Sequence, residues 1–123
     1  MKSVEEIKNI LAHAVGADSY YKVSPKKNAP IITSGVFALA EAADCRWLID
    51  AIISYHDDKC IDPNFQTWKL TITDESGVLE ALDDNKNVII RQEIRYTDFP
   101  LDEIELWVVQ GGGCNVMMLP SEY

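Results

Sequence analysis

The sequence has few histidines and cysteines and no long hydrophobic run. Two histidines and three cysteines in 123 residues leave few groups for nucleophilic or metal chemistry. Cys45, Cys60 and Cys114 are odd in number and unevenly spaced, and no charged-then-apolar leader precedes them, so we expect a reduced, cytoplasmic protein without a disulfide framework. The apolar run at 47–53 is interrupted by Asp50 and is far shorter than the ~20 residues of a membrane span.

Basic residues are also scarce, because 11 Lys and Arg stand against 20 Asp and Glu and give a formal net charge of -9. Residues 1–30 hold five lysines and three acids, so the excess acid lies in 31–123 and is densest between Asp74 and Glu105. Such a surface repels nucleic acid and anionic membranes and attracts basic proteins. Two interpretations stay open: the charge serves solubility alone, or it presents carboxylates to a cationic nucleic-acid-binding groove.

Helical signals occupy the first half of the chain. Ser3 and Glu6 have the spacing of a capping box, and apolar residues follow at intervals of three and four until Gly16. The polar segment at 17–30 follows, and its prolines, Pro25 and Pro30, disfavour helix there. These patterns predict a helix over 3–15, a loop over 17–30, a helix from 33 or 34 to about 43, and a buried helix from about 45 to 56.

From residue 65 onward the apolar period changes to two, which is typical of strands. The alternation and the turn residues predict strands at 65–72, 78–82, 88–96, 104–108 and 116–119, with Pro120 ending the pairing at a sheet edge. Because strands joined by short turns pair antiparallel, we predict a single α+β domain over residues 1–123, in which two or three N-terminal helices pack on a four- to five-stranded antiparallel meander.

Several short strings carry a resemblance to a known family. They are Ser34-Gly35-Val36, Trp47-Leu48-Ile49-Asp50, Tyr96-Thr97-Asp98-Phe99-Pro100-Leu101 and the C-terminal Leu119-Pro120-Ser121-Glu122-Tyr123. Because of these strings, residues 31–123 resemble an uncharacterised domain-of-unknown-function family carried by bacterial mobile elements and phages. Residues 1–30 are predicted to be a variable helix and loop. The resemblance implies a fold and a genomic habitat and assigns no chemistry.

One group of residues offers an enzymatic interpretation. Cys45, His56 and Cys60 form the best available nucleophile or zinc constellation, but the paired Cys-x-x-Cys spacing of common structural zinc sites is missing. Free cysteines usually behave as small buried hydrophobes. We therefore expect no catalytic residue, no cofactor and no metal. The alternative is a small Cys/His-dependent hydrolase or nucleotide-processing enzyme.

The aromatic residues divide into two groups. Trp107 lies on a strand face that is otherwise polar, so it is either an exposed anchor for a protein partner or homodimer, or it is covered by the N-terminal helix. The others are expected to be structural, at core or corner positions: Trp47, Phe65, Trp68, Tyr96 and Phe99.

The acidic surface and Trp107 together define a candidate partner-binding set. We predict a non-catalytic acidic protein-binding module without direct nucleic-acid or membrane binding, whose partner is a basic or nucleic-acid-binding host protein. The resemblance extends the predicted function to inhibition of a host defence effector such as a CRISPR complex. A structural homodimer is a further hypothesis. The candidate residues are Asp83, Asp84, Asp102, Glu103, Glu105 and Trp107.

Overall fold

A computed structural model describes residues 2–14, 19–25, 29–56, 64–111 and 113–123. It confirms the α+β class, with a seven-stranded sheet in the order β1-β2-β7-β6-β3-β4-β5. The elements are α1 (Val4–His13), β1 (Tyr20–Tyr21), β2 (Ile31–Thr33), α2 (Ser34–Ala43), α3 (Arg46–Ile53), β3 (Phe65–Thr73), β4 (Ser76–Leu82), β5 (Val88–Ile94), β6 (Glu103–Gln110) and β7 (Asn115–Met118), followed by a 3₁₀ turn (Pro120–Glu122).

The helices begin where the capping residues predict. The Ser3 hydroxyl accepts a hydrogen bond from the Glu6 amide at 3.2 Å, and the Thr33 hydroxyl accepts one from the Val36 amide, also at 3.2 Å. Each cap satisfies one of the amides that the first turn of a helix leaves without a partner. Helix α3 ends at Ile53 and turns follow, so the prediction that it reaches residue 56 was wrong. The predicted stop at Gly16 lies outside the described residues.

The sheet differs from the predicted four- to five-stranded antiparallel meander, because it has seven strands and is mixed. Strands β3, β4 and β5 follow one another as predicted, but β6 returns to pair with β3 on its other side. Two strands were missed, β1 and β2, because runs of two or three residues carry no readable period. Strand β2 pairs parallel with β7, so β7 and the following Pro120 do not end the sheet at an edge.

The segment between β5 and β6 carries the chain across the β3–β4 hairpin. The Thr97 amide donates to the Glu75 carbonyl at 2.8 Å, and the Ile72 amide donates to the Asp102 carbonyl at 2.7 Å. Phe99 and Leu101 point into the core and are buried. These contacts explain why the chain between the predicted strands at 88–96 and 104–108 is a crossing segment rather than a hairpin turn.

The core lies between the helices and one face of the sheet. Trp68 is 1% exposed, its indole donates to the Gln66 side-chain oxygen at 3.0 Å, and Tyr55 stacks on it. Burying such rings supplies much of the stabilisation of a small domain. Alternate residues of β3, β4 and β6 enter this core, whereas their neighbours point to the opposite face and are only half-buried or exposed. We call that opposite side the open face.

Candidate functional site

Three aromatic rings meet on the open face, and we call them the aromatic cluster: Phe65 of β3, Trp107 of β6 and the C-terminal Tyr123. The ring centroids are 5.3 Å apart for Phe65 and Trp107, 5.4 Å for Trp107 and Tyr123, and 5.9 Å for Phe65 and Tyr123. The last two pairs meet edge to face, a favoured geometry for aromatic contacts. Tyr123 is 77% exposed, so the cluster presents apolar ring surface to solvent.

Tyr123 is held there by the residue before it. The Glu122 carboxylate accepts hydrogen bonds from the Thr33 hydroxyl at 2.7 Å and from the Leu119 amide at 3.0 Å. It lies beside the first turn of α2, where the helix dipole favours a negative charge. A Cβ atom on Gly35 would come within 2.7 Å of this carboxylate, so a larger residue at this position has to displace the carboxylate. Two of the family-like strings thus contact each other.

Beside the aromatic cluster lies a cleft of about 470 Å³. It is bounded by β3, β6 and the turn between β4 and β5. Three carboxylates and two lysines line it together with apolar groups, and the Lys69 ammonium is 3.5 Å from the carboxylate of neighbouring Glu103. The cleft therefore combines ring surface with a small excess of negative charge. Its lining residues are Phe65, Thr67, Lys69, Leu82, Asp83, Asp84, Lys86, Glu105 and Trp107.

Two of the cleft carboxylates have defined hydrogen-bond partners. The Trp107 indole N–H donates to Glu105 at 2.6 Å, which fixes the orientation of both side chains. The Asp83 carboxylate accepts from the amides of Asn87 at 2.8 Å and Asn85 at 2.9 Å. Hydrogen bonds from Asn87, and that from the Asn85 amide, hold the pKa of Asp83 below its ordinary value. Asp83 therefore shapes the β4–β5 turn in its ionised form.

The structure brings four of the six predicted partner-binding residues to this cleft: Asp83, Asp84, Glu105 and Trp107. Glu103 is adjacent through its ion pair with Lys69, whereas Asp102 is exposed just before β6 and does not line the cleft. Trp107 is half-buried on the open face, and the rings packed on it are Phe65 and Tyr123.

Sequence reasoning missed other residues of the site. Phe65 was assigned a structural role, yet its ring lies on the open face because the pleat of β3 alternates with buried Gln66 and Trp68. Tyr123 belongs to the C-terminal family-like string, for which the sequence pattern indicates no role. Lys69 and Lys86 carried no distinguishing signal. Tyr96, expected at a core or corner position, is 69% exposed.

The proposed cysteine and histidine constellation is not assembled by α3. Cys45 precedes the helix and His56 follows it, so the two lie roughly 15 Å apart along the helix axis. Cys45 is buried, and desolvation raises the pKa of its thiol to about 12. His56 Nδ1 is 3.0 Å from the Ile53 carbonyl. Cys60 lies outside the described residues.

No group of three or more His, Cys, Asp or Glu side chains that could hold a metal ion occurs within the described ranges. None of the helices in that part of the chain is long and apolar enough to cross a membrane.

Comparisons with known proteins place the chain among relatives of unknown role. The profile of a family described as "Family of unknown function (DUF6876)" matches residues 5–123. No curated protein matches. A crystal structure of a protein of unknown function from Enterococcus faecalis is similar in fold, with a TM-score of 0.54 and 15% identity over 78% of this chain and 91% of that one.

Proposed function

This chain belongs to the family of unknown function DUF6876, and we propose that it is a non-catalytic module that binds a basic segment of another protein in the cleft of its open face. The observation that carries the proposal is the convergence of the aromatic cluster with the carboxylates of Glu105, Asp83 and Asp84 on one concave surface. Exposed aromatic residues with nearby charge are typical anchors of protein interfaces.

Arginine is the side chain that this cleft suits best. A guanidinium stacks on a Trp or Tyr face and simultaneously donates hydrogen bonds to carboxylates. Trp107 offers the ring, and Glu105 is already positioned against its edge by the 2.6 Å hydrogen bond. A nearby Asp84 carboxylate adds attraction for a second basic residue. The net charge of -9 steers a cationic partner towards the domain as a whole.

The cysteine chemistry of the enzymatic alternative receives no support from Cys45. Its thiol is buried and its pKa is raised to about 12, so the nucleophilic thiolate is scarce at neutral pH.

The wider setting of the proposal follows the family resemblance. We propose a mobile element or phage as the source and the cytoplasm as the place of action. We propose as partner a basic, nucleic-acid-binding host protein, with inhibition of a defence effector as the result. In this account the cleft carboxylates bind basic residues of the partner that otherwise contact nucleic-acid phosphates, so the protein and nucleic acid compete for the partner.

A direct test uses a short arginine-rich peptide as a defined probe and compares it with a lysine-rich peptide of equal charge. We expect the arginine peptide to bind more tightly by isothermal titration calorimetry and to shift the indole N–H signal of Trp107 in NMR spectra. Trp107→Ala and Glu105→Lys should each weaken binding by about tenfold or more, since each removes an anchor of the cleft.

Asp102→Lys is the matched control, because it makes the same change in net charge at an acid outside the cleft. Equal losses for Asp102→Lys and Glu105→Lys would show that only the general electrostatic field attracts the peptide and would refute a cleft site.

To identify the natural partner, the tagged protein is recovered from bacterial lysate with nuclease at low and high salt. Competition between that partner's nucleic acid and the wild-type protein tests the inhibitory role.

A further inference from the structure

Strand β5 leaves one long edge of the sheet unpaired. It runs from Val88 to Ile94 and pairs only with β4, and within the described ranges no segment pairs with its outer side. The opposite edge of the sheet is β1, which has two residues. Short edge strands are protected from further pairing, whereas a seven-residue edge presents unpaired amides and carbonyls to any strand that can approach.

The side chains of β5 alternate between the two faces of the sheet. Gln92 pairs with buried Leu79 of β4 and accepts a hydrogen bond from the Tyr55 hydroxyl at 2.8 Å, so it points to the helical side. Arg91 pairs with Glu80 and points to the open face, where Glu93 also lies. The Arg91 guanidinium is 3.8 Å from the Glu80 carboxylate and 4.0 Å from that of Glu93.

We propose that β5 pairs antiparallel with β5 of a second copy of this chain, centred on Gln92. A two-fold axis perpendicular to the sheet keeps the helical sides of both copies together, so odd-numbered residues oppose odd-numbered ones. In this register each Arg91 lies opposite the partner's Glu93, and each Ile90 lies opposite the partner's Ile94.

Neighbouring registers are disfavoured by charge. Centring the pair on Arg91 places two guanidinium groups opposite each other, and centring it on Glu93 does the same with two carboxylates. Like charges directly opposite each other destabilise a strand pair, whereas opposite charges stabilise it. The order of charges along the strand thus makes β5 complementary to itself in the register centred on Gln92.

Apolar residues inside the strand provide a second observation. Ile90 and Ile94 pair with Ala81 and Gly77 of β4, point to the helical side and are only half-buried. In the register centred on Gln92, Ile90 of one copy lies opposite the partner's Ile94. Pairing therefore covers apolar surface that the single chain leaves in water.

The decisive experiment is a charge exchange between two variants, followed by sedimentation velocity. We expect the wild-type protein to form a reversible dimer. Arg91→Glu and Glu93→Arg should each raise the dissociation constant by at least about tenfold, because each creates two like-charge pairs. An equimolar mixture of the two variants restores both opposite-charge pairs, so it should form a one-to-one heterodimer with nearly wild-type affinity.

The Glu93→Arg variant separates specific pairing from general repulsion. It makes the strongly acidic chain less negative, so repulsion between whole molecules predicts tighter association, whereas the proposed register predicts weaker association. Lys8→Glu on α1 is the control, with the same charge change as Arg91→Glu, and circular dichroism checks that each variant is folded. The proposal is overturned by a monomeric wild-type protein, by equal or tighter association of Glu93→Arg, or by a mixture that stays monomeric.

Discussion

Gly35→Ala should destabilise this protein even though alanine is the better helix former. In an exposed helix interior the substitution gains up to about 1 kcal/mol, and less in the first turn, where Gly35 lies. Here the new methyl group would come within 2.7 Å of the Glu122 carboxylate. The carboxylate must move, although it is held by the Thr33 hydroxyl and the Leu119 amide.

The size of the effect follows from those two hydrogen bonds. A hydrogen bond to a charged group contributes about 1.5–3 kcal/mol, and we take the low end because Glu122 is only half-buried. Loss or distortion of both bonds costs about 2–3 kcal/mol and exceeds the helix term. We therefore expect a net loss of about 1–2 kcal/mol in the free energy of unfolding, or a Tm lower by roughly 3–8 °C.

Removing the carboxylate should reverse the sign. In a Glu122→Ala background the methyl group of Gly35→Ala meets no carboxylate, so the substitution should stabilise by less than about 1 kcal/mol. Urea unfolding of the four proteins in this double-mutant cycle measures the coupling energy, which we expect to be about 2 kcal/mol. Glu122→Gln is the matched control, since it keeps the steric conflict. Gly35→Ala as stable as the wild type would refute the contact between the C-terminal string and α2.

Three further predictions concern the core, the thiol and the β4–β5 turn. Trp68→Ala should lower the free energy of unfolding by about 3–5 kcal/mol in urea titrations, because it empties the centre of the core; a loss below about 1 kcal/mol would contradict that placement. Cys45 should stay unmodified by iodoacetamide at pH 8 in the folded protein while Cys114 reacts, as judged by peptide mass spectrometry, and equal rates would contradict its burial. The pKa of Asp83 is lowered in the folded state, so its contribution to stability is present above its ordinary pKa of 3.8 and is lost as the pH falls through the folded value. The stability difference between wild type and Asp83→Asn should therefore shrink in acid, and a difference independent of pH would oppose this account.

Local sequence signals predicted the helices and most strands well. Ser3 and Thr33 cap the first two helices as their spacing indicates, because an N-cap depends on residues three positions apart. Strand β3 follows the alternation that begins near Phe65, since a pleated strand exposes every second residue. The end of α3 was predicted less well, because the apolar pattern continues to Tyr55 after the helix has ended.

Long-range pairing explains the failures in the predicted fold. Strand β2 is defined by its parallel partner β7, which lies more than eighty residues later in the chain. Strand β6 pairs with β3 rather than with β5 because Phe99 and Leu101 anchor the connecting segment in the core. Neither of these pairings produces a local sequence pattern that periodicity can detect.

Composition, hydrophobic period and helix capping are local properties, so they predicted the class of the domain, its acidic character and the types of group available for recognition. Which of those groups meet depends on the tertiary fold. Trp107 and Glu105 are two positions apart on one strand, and the sequence predicted both as partner-binding residues. Phe65 joins them through strand pairing, and Tyr123 joins them because Glu122 docks against α2. The cleft and the free edge of β5 both follow from strand order, which depends on contacts between distant parts of the chain.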